Sequence, residues 1–541
     1  MQGYDYIVVG AGSSGAVIAA RLSEEPNCRV LLIEAGGKDN STFLRKPGMI
    51  MIMHTVEQIS RKYDWGYRQQ PKPQTLNRDM GYYRGKVLGG CSSVNRMVYV
   101  RGNRKNYDDW AAEGNEGWSY DDVLPYFKKL ETYHDRTDGD QYRGSDGPLN
   151  VTLTPNPSPI TLLWNEGVAE AFDTVVNPDY NGESQEGAST LQVNSYKGLR
   201  QSTSVGYLDP IVGKRPNLEV LLTGMVTRVI LEGTTCVGVE VSDRKGKLQE
   251  IRCEKEVILS AGTTNSPTIL LHSGIGPKEH LAEVGIDCVV DLPVGENLQD
   301  HAFLPLTFNT PLSNNRSTAG YILKGILQEY LGKGGSFMQK SMFENVAFVN
   351  SGMNMNPGAP DMQLHAMPWA YPAPNQDAPG IPEVDKRPSL TILPTIIYPK
   401  SRGTVRLKSN NPLDKPHIDP NFFGHEDDKM FFLNGIERIR DMMGSDFMKD
   451  KHTGEIEPGP EFFERAKMLA EIPNRVSTVY HPVGTCRMGV DDYAVVDPQL
   501  RVRGIQNLRV ADCSIMPSIT GGNTNIPAVM IGERASDLIR N

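Results

Sequence analysis

The sequence feature that most constrains the fold is a glycine-rich turn near residue 10, set between an apolar segment and a helix-forming segment. Residues 4–9 end in three consecutive apolar residues and predict a short buried strand. Residues 16–22 predict a helix, and residues 30–33 predict a second strand. A strand, a helix and a strand in this order form a βαβ unit, which predicts a parallel sheet.

The turn itself has the pattern of a dinucleotide-binding site. Gly10, Gly12 and Gly15 bracket Ala11, Ser13 and Ser14, and Glu34 ends the second predicted strand. In this pattern the first glycine makes the turn, the second lets the backbone approach a pyrophosphate, and the third lets the helix pack on the sheet. The helix N-terminus stabilises phosphate charge, and the acid accepts hydrogen bonds from an adenosine ribose. The pattern alone leaves both FAD and NAD open.

The rest of the chain predicts a second domain. With 541 residues it exceeds what one hydrophobic core usually organises. Short apolar runs at 218–222, 226–231, 237–241 and 257–259 predict an antiparallel meander that returns to the first sheet. The region from about 301 to 474 is rich in Pro and Asn and predicts a separate unit.

Charge and cysteine content exclude some functional classes. A net charge of −9 argues against a nucleic-acid-binding protein, which needs a basic face. The seven cysteines are scattered without a CxxC pair, so neither a disulfide framework nor a metal site is expected. A first strand that begins at Tyr4 leaves no room for a signal peptide, and no apolar run reaches about 18 residues. We therefore expect a cytoplasmic protein with no transmembrane segment.

Five motifs, in family order, give the chain a resemblance to the glucose–methanol–choline (GMC) oxidoreductase family over essentially its whole length. They are RGKVLGGCSSVN at 84–95 with YVRG at 99–102, SAGTTNSP at 260–267 with SGIG at 273–276, VGENLQDH at 294–301, HPVGTCRMG at 481–489, and GGNTN at 521–525. The resemblance implies an α/β fold. A Rossmann-like FAD-binding domain with a parallel sheet and a meander would carry a second α+β substrate domain with a mixed or antiparallel sheet. The expected FAD-binding domain comprises 1–155, 205–305 and 470–541, and the expected substrate domain comprises 156–204 and 306–469.

The same resemblance implies FAD as cofactor and indicates which residues bind it. Some relatives attach FAD covalently through a histidine, but Val94 stands at that position here, so we expect non-covalent FAD. Asp512 would accept hydrogen bonds from the ribityl or pyrophosphate region, Val226 would meet the adenine, and Asn525 would approach the pyrimidine end. An isolated aromatic such as Trp65 is as consistent with core packing as with adenosine contact. The expected set is Gly10, Gly12, Ser13, Ser14, Gly15, Glu34, Ala35, Trp65, Arg84, Leu88, Gly90, Ser92, Asn95, Met97, Val98, Val226, Ala261, Asp512, Asn525 and Pro527.

By resemblance, the catalytic residues are His481 and Asn523. Histidine has an ordinary pKa near working pH and can take the hydroxyl proton as hydride leaves the alcohol carbon for flavin N5. Asparagine cannot take the proton, but it can orient the substrate oxygen. We predict that the two side chains converge within hydrogen-bonding reach of one hydroxyl.

The sequence leaves open which alcohol is the substrate, and it leaves two other functions open. Glu344 could bind a cationic headgroup or be a structural acid, and Trp369 and Tyr371 could line a pocket or belong to the core. The expected reaction is FAD-dependent oxidation of a primary or secondary small-molecule alcohol, with O2 or a quinone-type or dye-type acceptor reoxidising the flavin. A hydroxynitrile-lyase-type enzyme and a non-catalytic flavin-binding scaffold are the alternatives.

Overall fold

The predicted strand–helix–strand unit opens the fold in the computed structural model, which describes residues 3–50, 56–137, 140–313, 319–332, 337–371 and 387–541. The strand Tyr4–Val9 is followed by the helix Gly15–Leu22 and the strand Val30–Glu34. The two strands pair in parallel, with Tyr6 opposite Val30. The second strand is buried along its whole length, as expected for a parallel sheet covered on both faces.

These strands belong to a seven-stranded sheet. Its strands, in spatial order, are Leu218–Leu222, Val30–Glu34, Tyr4–Val9, Leu248–Leu259, Thr235–Ser242 and Met225–Glu232, with Leu508–Val510 also paired to Leu248–Leu259. The last three consecutive strands, 225–259, form the predicted antiparallel meander. Leu218–Leu222 does not, because it pairs in parallel with Val30–Glu34. That part of the meander prediction was wrong, since an apolar run shows that a strand is buried but not which neighbour it joins.

A second sheet of eight strands is antiparallel throughout. Its strands in spatial order are Gly454–Glu457, Leu306–Asn309, Ser389–Ile396, Met362–Met367, Asn345–Val349 and Gly187–Thr190, with Ala302–Phe303 and Ser477–Thr478 paired at its side. One face packs on the helices Pro159–Ala171 and Glu426–Gly444 through residues such as Leu364. Alternation along a strand turns Met367 to the opposite face. That opposite face carries the candidate site.

The other elements connect and cover the two sheets. Within the described residues, the other α-helices are Thr42–Arg45, Glu57–Tyr63, Arg104–Ala112, Tyr120–Leu130, Gly262–His272, Lys278–Glu283, Ala319–Tyr330, Arg465–Arg475 and Asn525–Arg540. Short strands form three two-stranded sheets: Ser195–Tyr196 with Leu199–Arg200; Thr404–Arg406 with His417–Asp419; and Tyr67–Arg68 with Gly81–Tyr82. A three-stranded sheet joins Glu131–Tyr133, Leu149–Leu153 and Gln192–Val193. Among the described helices, none combines the length and apolar character needed to cross a membrane.

The predicted domain boundaries stay a prediction. The first sheet draws its strands from 4–34, 218–259 and 508–510, and most of the second sheet lies within 306–469. Two short strands of the second sheet, Ala302–Phe303 and Ser477–Thr478, come from segments assigned to the FAD-binding domain. The chain therefore crosses between the sheets close to both boundaries.

A buried cluster of charged side chains links residues 99–101 to residues 131–144. The carboxylate of Glu131 is fully buried and accepts hydrogen bonds from Arg101 Nη2 and Arg143 Nε, both at 2.8 Å, and from Gly144 N at 2.9 Å. The Tyr99 hydroxyl also donates to it. Burial alone would raise the pKa of Glu131, but the two guanidinium groups outweigh that effect and lower it.

We expect Glu131→Gln to lower the free energy of unfolding by about 3–5 kcal/mol, because it leaves Arg101 as a buried cation without a counter-charge and leaves Arg143 with Asp179 alone. Since the pKa of Glu131 is lowered in the folded state, its contribution is present above the unfolded pKa and is lost as pH falls through the folded pKa. Urea unfolding measures the loss. Glu232→Gln, which removes an exposed ion pair with Arg252, is the matched control. An equal effect of the two substitutions would contradict the assignment.

Candidate active site

A cavity of about 1350 Å³ is lined by residues from both sheets and from the loops between them. This volume exceeds the range of about 300–1,000 Å³ typical of sites for drug-sized ligands, so the cavity has room for a longer ligand such as a dinucleotide. Most of the predicted cofactor residues line it, including residues of the glycine turn and of the motifs at 84–95, 260–267 and 521–525. Those residues are Gly10, Gly12, Ser13, Ser14, Glu34, Ala35, Trp65, Arg84, Gly90, Asn95, Val98, Val226, Ala261, Asp512 and Asn525. The cavity therefore brings together segments that are far apart in the sequence.

Glycines bring two loops of the cavity wall close together. Gly10 has a φ of +93°, which favours glycine, and a Cβ there would lie 2.6 Å from Ser260 O. Gly90 has a φ of +52°, and a Cβ there would lie 2.7 Å from the Cα of Gly12. A Cβ on Gly12 would meet nothing closer than Gly90 Cα at 3.9 Å, so Gly12 faces open cavity. This is the cradle that a pyrophosphate requires.

The acid at the end of the second strand is fixed by the backbone around it. Glu34 accepts hydrogen bonds from Ala11 N at 3.0 Å and from Gly36 N at 2.7 Å. Burial raises its pKa to about 7, against the opposing effect of these amides and of Lys86. Its carboxylate can accept ribose hydroxyls at this edge of the sheet. At the other end of the chain, Asn525 Oδ1 accepts from Ser13 Oγ at 2.8 Å and joins the C-terminal helix to the glycine turn.

Five predicted cofactor residues do not line the cavity: Gly15, Leu88, Ser92, Met97 and Pro527. Gly15 serves packing, because a Cβ there would lie 1.9 Å from Gly10 O. Ser92 turns inward and donates to Gly89 O at 2.6 Å, which holds the tight turn. In a one-turn 3₁₀ segment such as Gly90–Ser93, neighbouring side chains point in different directions, so only part of a motif faces the ligand.

The predicted catalytic pair is in direct contact. His481 Nε2 lies 3.1 Å from Asn523 Nδ2, and both residues line the cavity. Gln363 Nε2 donates to Asn523 Oδ1 at 3.0 Å, which fixes the amide so that its nitrogen faces the imidazole. The prediction that His481 and Asn523 converge is confirmed.

The hydrogen bonds around His481 select one tautomer. His301 Nε2 lies 3.1 Å from Ile397 O, and because a carbonyl only accepts, this nitrogen carries the proton. Burial lowers the pKa of His301 to about 3, so its ring is neutral and its Nδ1 accepts. His481 Nδ1, 3.1 Å away, must then be the donor. The unprotonated nitrogen of His481 is therefore Nε2, the one beside Asn523.

The backbone of His481 is also held. His481 N donates to Asp300 Oδ1 at 2.8 Å, and Thr478 Oγ1 donates to Asp300 Oδ2 at 2.6 Å. Tyr480, just before it, has a φ of +65°, a strained value for a non-glycine residue. Burial lowers the pKa of His481 well below its usual value, and His301, Arg84 and His365 lower it further. The imidazole is therefore a neutral proton acceptor.

The wall near the catalytic pair is mostly apolar and aromatic. It includes Phe303, Met342, Phe343, Met367, Trp369, Tyr371, Leu393 and Val479. Trp369 and Tyr371 both line the cavity and both pack in one hydrophobic cluster, so the two roles considered for them hold together. Glu344 does not: its carboxylate accepts from Ser158 N at 2.7 Å and Thr161 Oγ1 at 2.9 Å, at the N-terminus of the helix Pro159–Ala171. Glu344 is placed to stabilise that helix end, which gives its cationic-headgroup role no support.

Three residues of the site were not predicted from the sequence: His301, Gln363 and His365. His301 is the last residue of the motif at 294–301, and the motif alone predicts no role for it. Gln363 and His365 alternate with apolar residues in the strand Met362–Met367, and such polar residues at every second position were the available signal. The strand turns both toward the catalytic pair, and His365 stacks on Phe343 with ring centroids 4.7 Å apart.

Comparisons with known proteins agree with this arrangement. The family model for GMC oxidoreductases matches residues 4–303 with its N-terminal part and 399–532 with its C-terminal part. The alcohol dehydrogenase (acceptor) of Pseudomonas putida is 38% identical over 99% of this chain and 95% of that protein. An oxygen-dependent choline dehydrogenase of Rhizobium rhizogenes is 37% identical with the same coverage. The solved structure of pyridoxine 4-oxidase from Mesorbium loti superposes with a TM-score of 0.86, at 29% identity over 99% of both chains.

Proposed function

The chain belongs to the GMC oxidoreductase family, and from that premise we propose that it oxidises the CH–OH group of a small alcohol with FAD as its redox cofactor. The observation that carries this proposal is the contact between His481 Nε2 and Asn523 Nδ2 in the wall of a cavity that also contains the dinucleotide motif. A base and an oriented amide beside a cofactor cavity are what removal of a hydroxyl proton requires.

The residues present fit FAD. Gly12 and Gly90 leave the space that a pyrophosphate needs, and Glu34 offers a carboxylate to a ribose. Asp512 lies at the start of the helix Gly262–His272, where its carboxylate accepts from Gly262 N at 2.8 Å. Val94 lines the same cavity, and an aliphatic side chain cannot form a bond to the cofactor. We propose on this ground that FAD is held without a covalent link.

In the proposed mechanism His481 takes the proton and Asn523 holds the oxygen. The hydride acceptor is supplied by FAD when it is bound. His481 Nε2 is the unprotonated nitrogen, because His301 and Ile397 fix the proton on Nδ1, and without substrate it accepts from Asn523 Nδ2. A substrate hydroxyl would take the place of the amide at Nε2, and Asn523 would then donate to the substrate oxygen while Gln363 keeps the amide oriented. Proton transfer to Nε2 leaves a cationic imidazole, which the neutral ring of His301 can stabilise by accepting from Nδ1.

The lowered pKa of His481 gives an expected pH dependence. A lowered pKa keeps the ring neutral, and therefore active as a base, to lower pH than an ordinary histidine. We expect kcat/KM for alcohol oxidation to stay level as pH falls from neutrality to below about 6.5, the ordinary histidine value. A pH profile with a dye acceptor measures this. The prediction would be contradicted if kcat/KM fell to half at a pH of about 6.5 or higher and this fall were absent from His481→Gln.

The electron acceptor is to be determined by experiment. We propose that reduced flavin is reoxidised either by O2, with peroxide as product, or by a quinone-type acceptor. A panel of primary and secondary alcohols, assayed in parallel for peroxide under air and for dye reduction without air, distinguishes the two. Peroxide equal to alcohol consumed identifies an oxidase, and dye reduction with little peroxide identifies a dehydrogenase. Absence of both across the panel would overturn the proposed function.

The cytoplasmic location stays a prediction.

A further inference from the structure

One cation in the cavity wall has no part in the mechanism above. Arg96 follows Asn95 in the loop beside the candidate flavin region, and it lines the cavity together with Tyr83, Tyr371 and Tyr480. Its guanidinium Nη1 contacts Met342 Sδ, and a thioether is only a weak acceptor. Within the described part of the chain, no carboxylate pairs with Arg96, and the groups that act on its charge are those three tyrosines and the guanidinium of Arg200.

Three fully buried arginines, Arg101, Arg143 and Arg200, are satisfied differently. Arg101 and Arg143 share the carboxylate of Glu131. Arg200 donates to Leu44 O at 2.8 Å and to Ser92 O at 3.1 Å, and also to an amide oxygen. Arg96 has donors of the same kind directed at a cavity instead of at carbonyl or carboxylate oxygens. A desolvated cation of this kind is costly unless an anion completes it.

The acids of the cavity wall are engaged elsewhere. Of the described residues that line it, three are acidic: Glu34, Asp414 and Asp512. Glu34 accepts from backbone amides of the glycine turn, and Asp512 accepts from Gly262 N and Ser266 Oγ. Asp414 accepts from Ser409 Oγ at 2.7 Å within its own loop. The described wall therefore offers no available carboxylate to a cationic substrate, and the charge of Arg96 would repel one.

We propose that Arg96 binds a carboxylate of the substrate, so that the preferred alcohol carries this group at the end remote from its reacting carbon. The aromatic wall formed by Phe303, Phe343 and Trp369 suits an apolar or aromatic segment between the two ends. The guanidinium fork matches a carboxylate in two parallel hydrogen bonds. This inference rests on the proposed function and narrows its substrate class to hydroxy-carboxylates, and it excludes quaternary ammonium alcohols.

The test compares three alcohols of one shape: para-(hydroxymethyl)benzoate, the corresponding neutral amide, and the corresponding trimethylammonium compound. We expect kcat/KM for the carboxylate to exceed that for the amide by about ten- to a hundredfold, the range for a hydrogen bond to a charged group. The cation should be the poorest substrate. Arg96→Met should abolish the preference, and Arg96→Lys should restore part of it. Arg252→Met removes an exposed arginine on another surface and should leave the preference unchanged.

If Arg96→Met raises KM for the carboxylate with little change in kcat, Arg96 binds the substrate and does not position the base. The charges that act on His481 come from His301, Arg84 and His365, so the pH profile of kcat should be the same in Arg96→Met and wild type. Equal kcat/KM for the carboxylate and the amide in the wild-type protein would overturn the inference without any variant. Benzoate and benzamide as competing ligands give the same comparison by binding alone. Failure of all three alcohols to reduce the flavin would instead overturn the proposed function.

Discussion

Replacing His481 by alanine is expected to slow anaerobic flavin reduction by an alcohol by about a hundred- to ten-thousandfold, the range that a general base contributes. The substitution removes Nε2, the nitrogen whose lone pair His301 and Ile397 leave free to take the hydroxyl proton. Asn523 cannot replace it, because a side-chain amide does not accept a proton at working pH. FAD content should be unchanged, since His481 is not among the residues expected to bind the cofactor.

Stopped-flow measurement of flavin absorbance after anaerobic mixing gives the rate for the His481→Ala protein. The matched control is His134→Ala, which removes an exposed histidine that pairs with Asn150. The control should reduce its flavin at the wild-type rate. A wild-type rate in His481→Ala itself would show that another group takes the proton.

Replacing Gly12 by valine is expected to remove FAD from the purified protein while leaving the fold intact. A Cβ at Gly12 meets no protein atom closer than 3.9 Å, so the first side-chain atom points into the cavity without a clash. The same space lies between the glycine turn and Gly90, where the pyrophosphate is expected to approach the backbone. We expect the flavin bound per protein to fall at least about tenfold, because the loss of one or two charge-assisted hydrogen bonds weakens binding by that factor or more.

Flavin absorbance per protein, with far-ultraviolet circular dichroism as a check on folding, measures the Gly12→Val effect. Gly444→Val is a suitable control, since a Cβ at Gly444 meets nothing within 4 Å and the residue ends a helix on the protein surface. If Gly12→Val kept a full complement of FAD, the proposed placement of the pyrophosphate would be wrong.

The sequence identified the dinucleotide unit and the family motifs because those signals are local. The spacing of Gly10, Gly12 and Gly15 follows from backbone geometry within one turn, and residues 4–34 fold as predicted. The catalytic pair was found through motifs at 481–489 and 521–525, although the contact between its two members depends on tertiary structure. Local pattern therefore predicted most of the cofactor region.

What the sequence could not supply was the direction of side chains and the pairing of strands. Leu218–Leu222 is as apolar as a meander strand, and only tertiary packing makes it parallel. Glu344 precedes a strand of the substrate sheet, but its carboxylate turns to the helix Pro159–Ala171 and not to the cavity. Gln363 and His301 reach the catalytic pair from separate strands or motifs, and no spacing along the chain encodes that meeting.

The central claim is that this cavity oxidises an alcohol by transfer of a hydride, with the proton taken at His481. Anaerobic mixing of the FAD-bound protein with para-(hydroxymethyl)benzoate, and with the same compound deuterated at the reacting carbon, tests it most directly. We predict bleaching of the flavin, one aldehyde formed per flavin, and a several-fold slower rate with the deuterated alcohol. A flavin that stays oxidised across the alcohol panel while a substrate is cleaved or left unchanged would contradict the account.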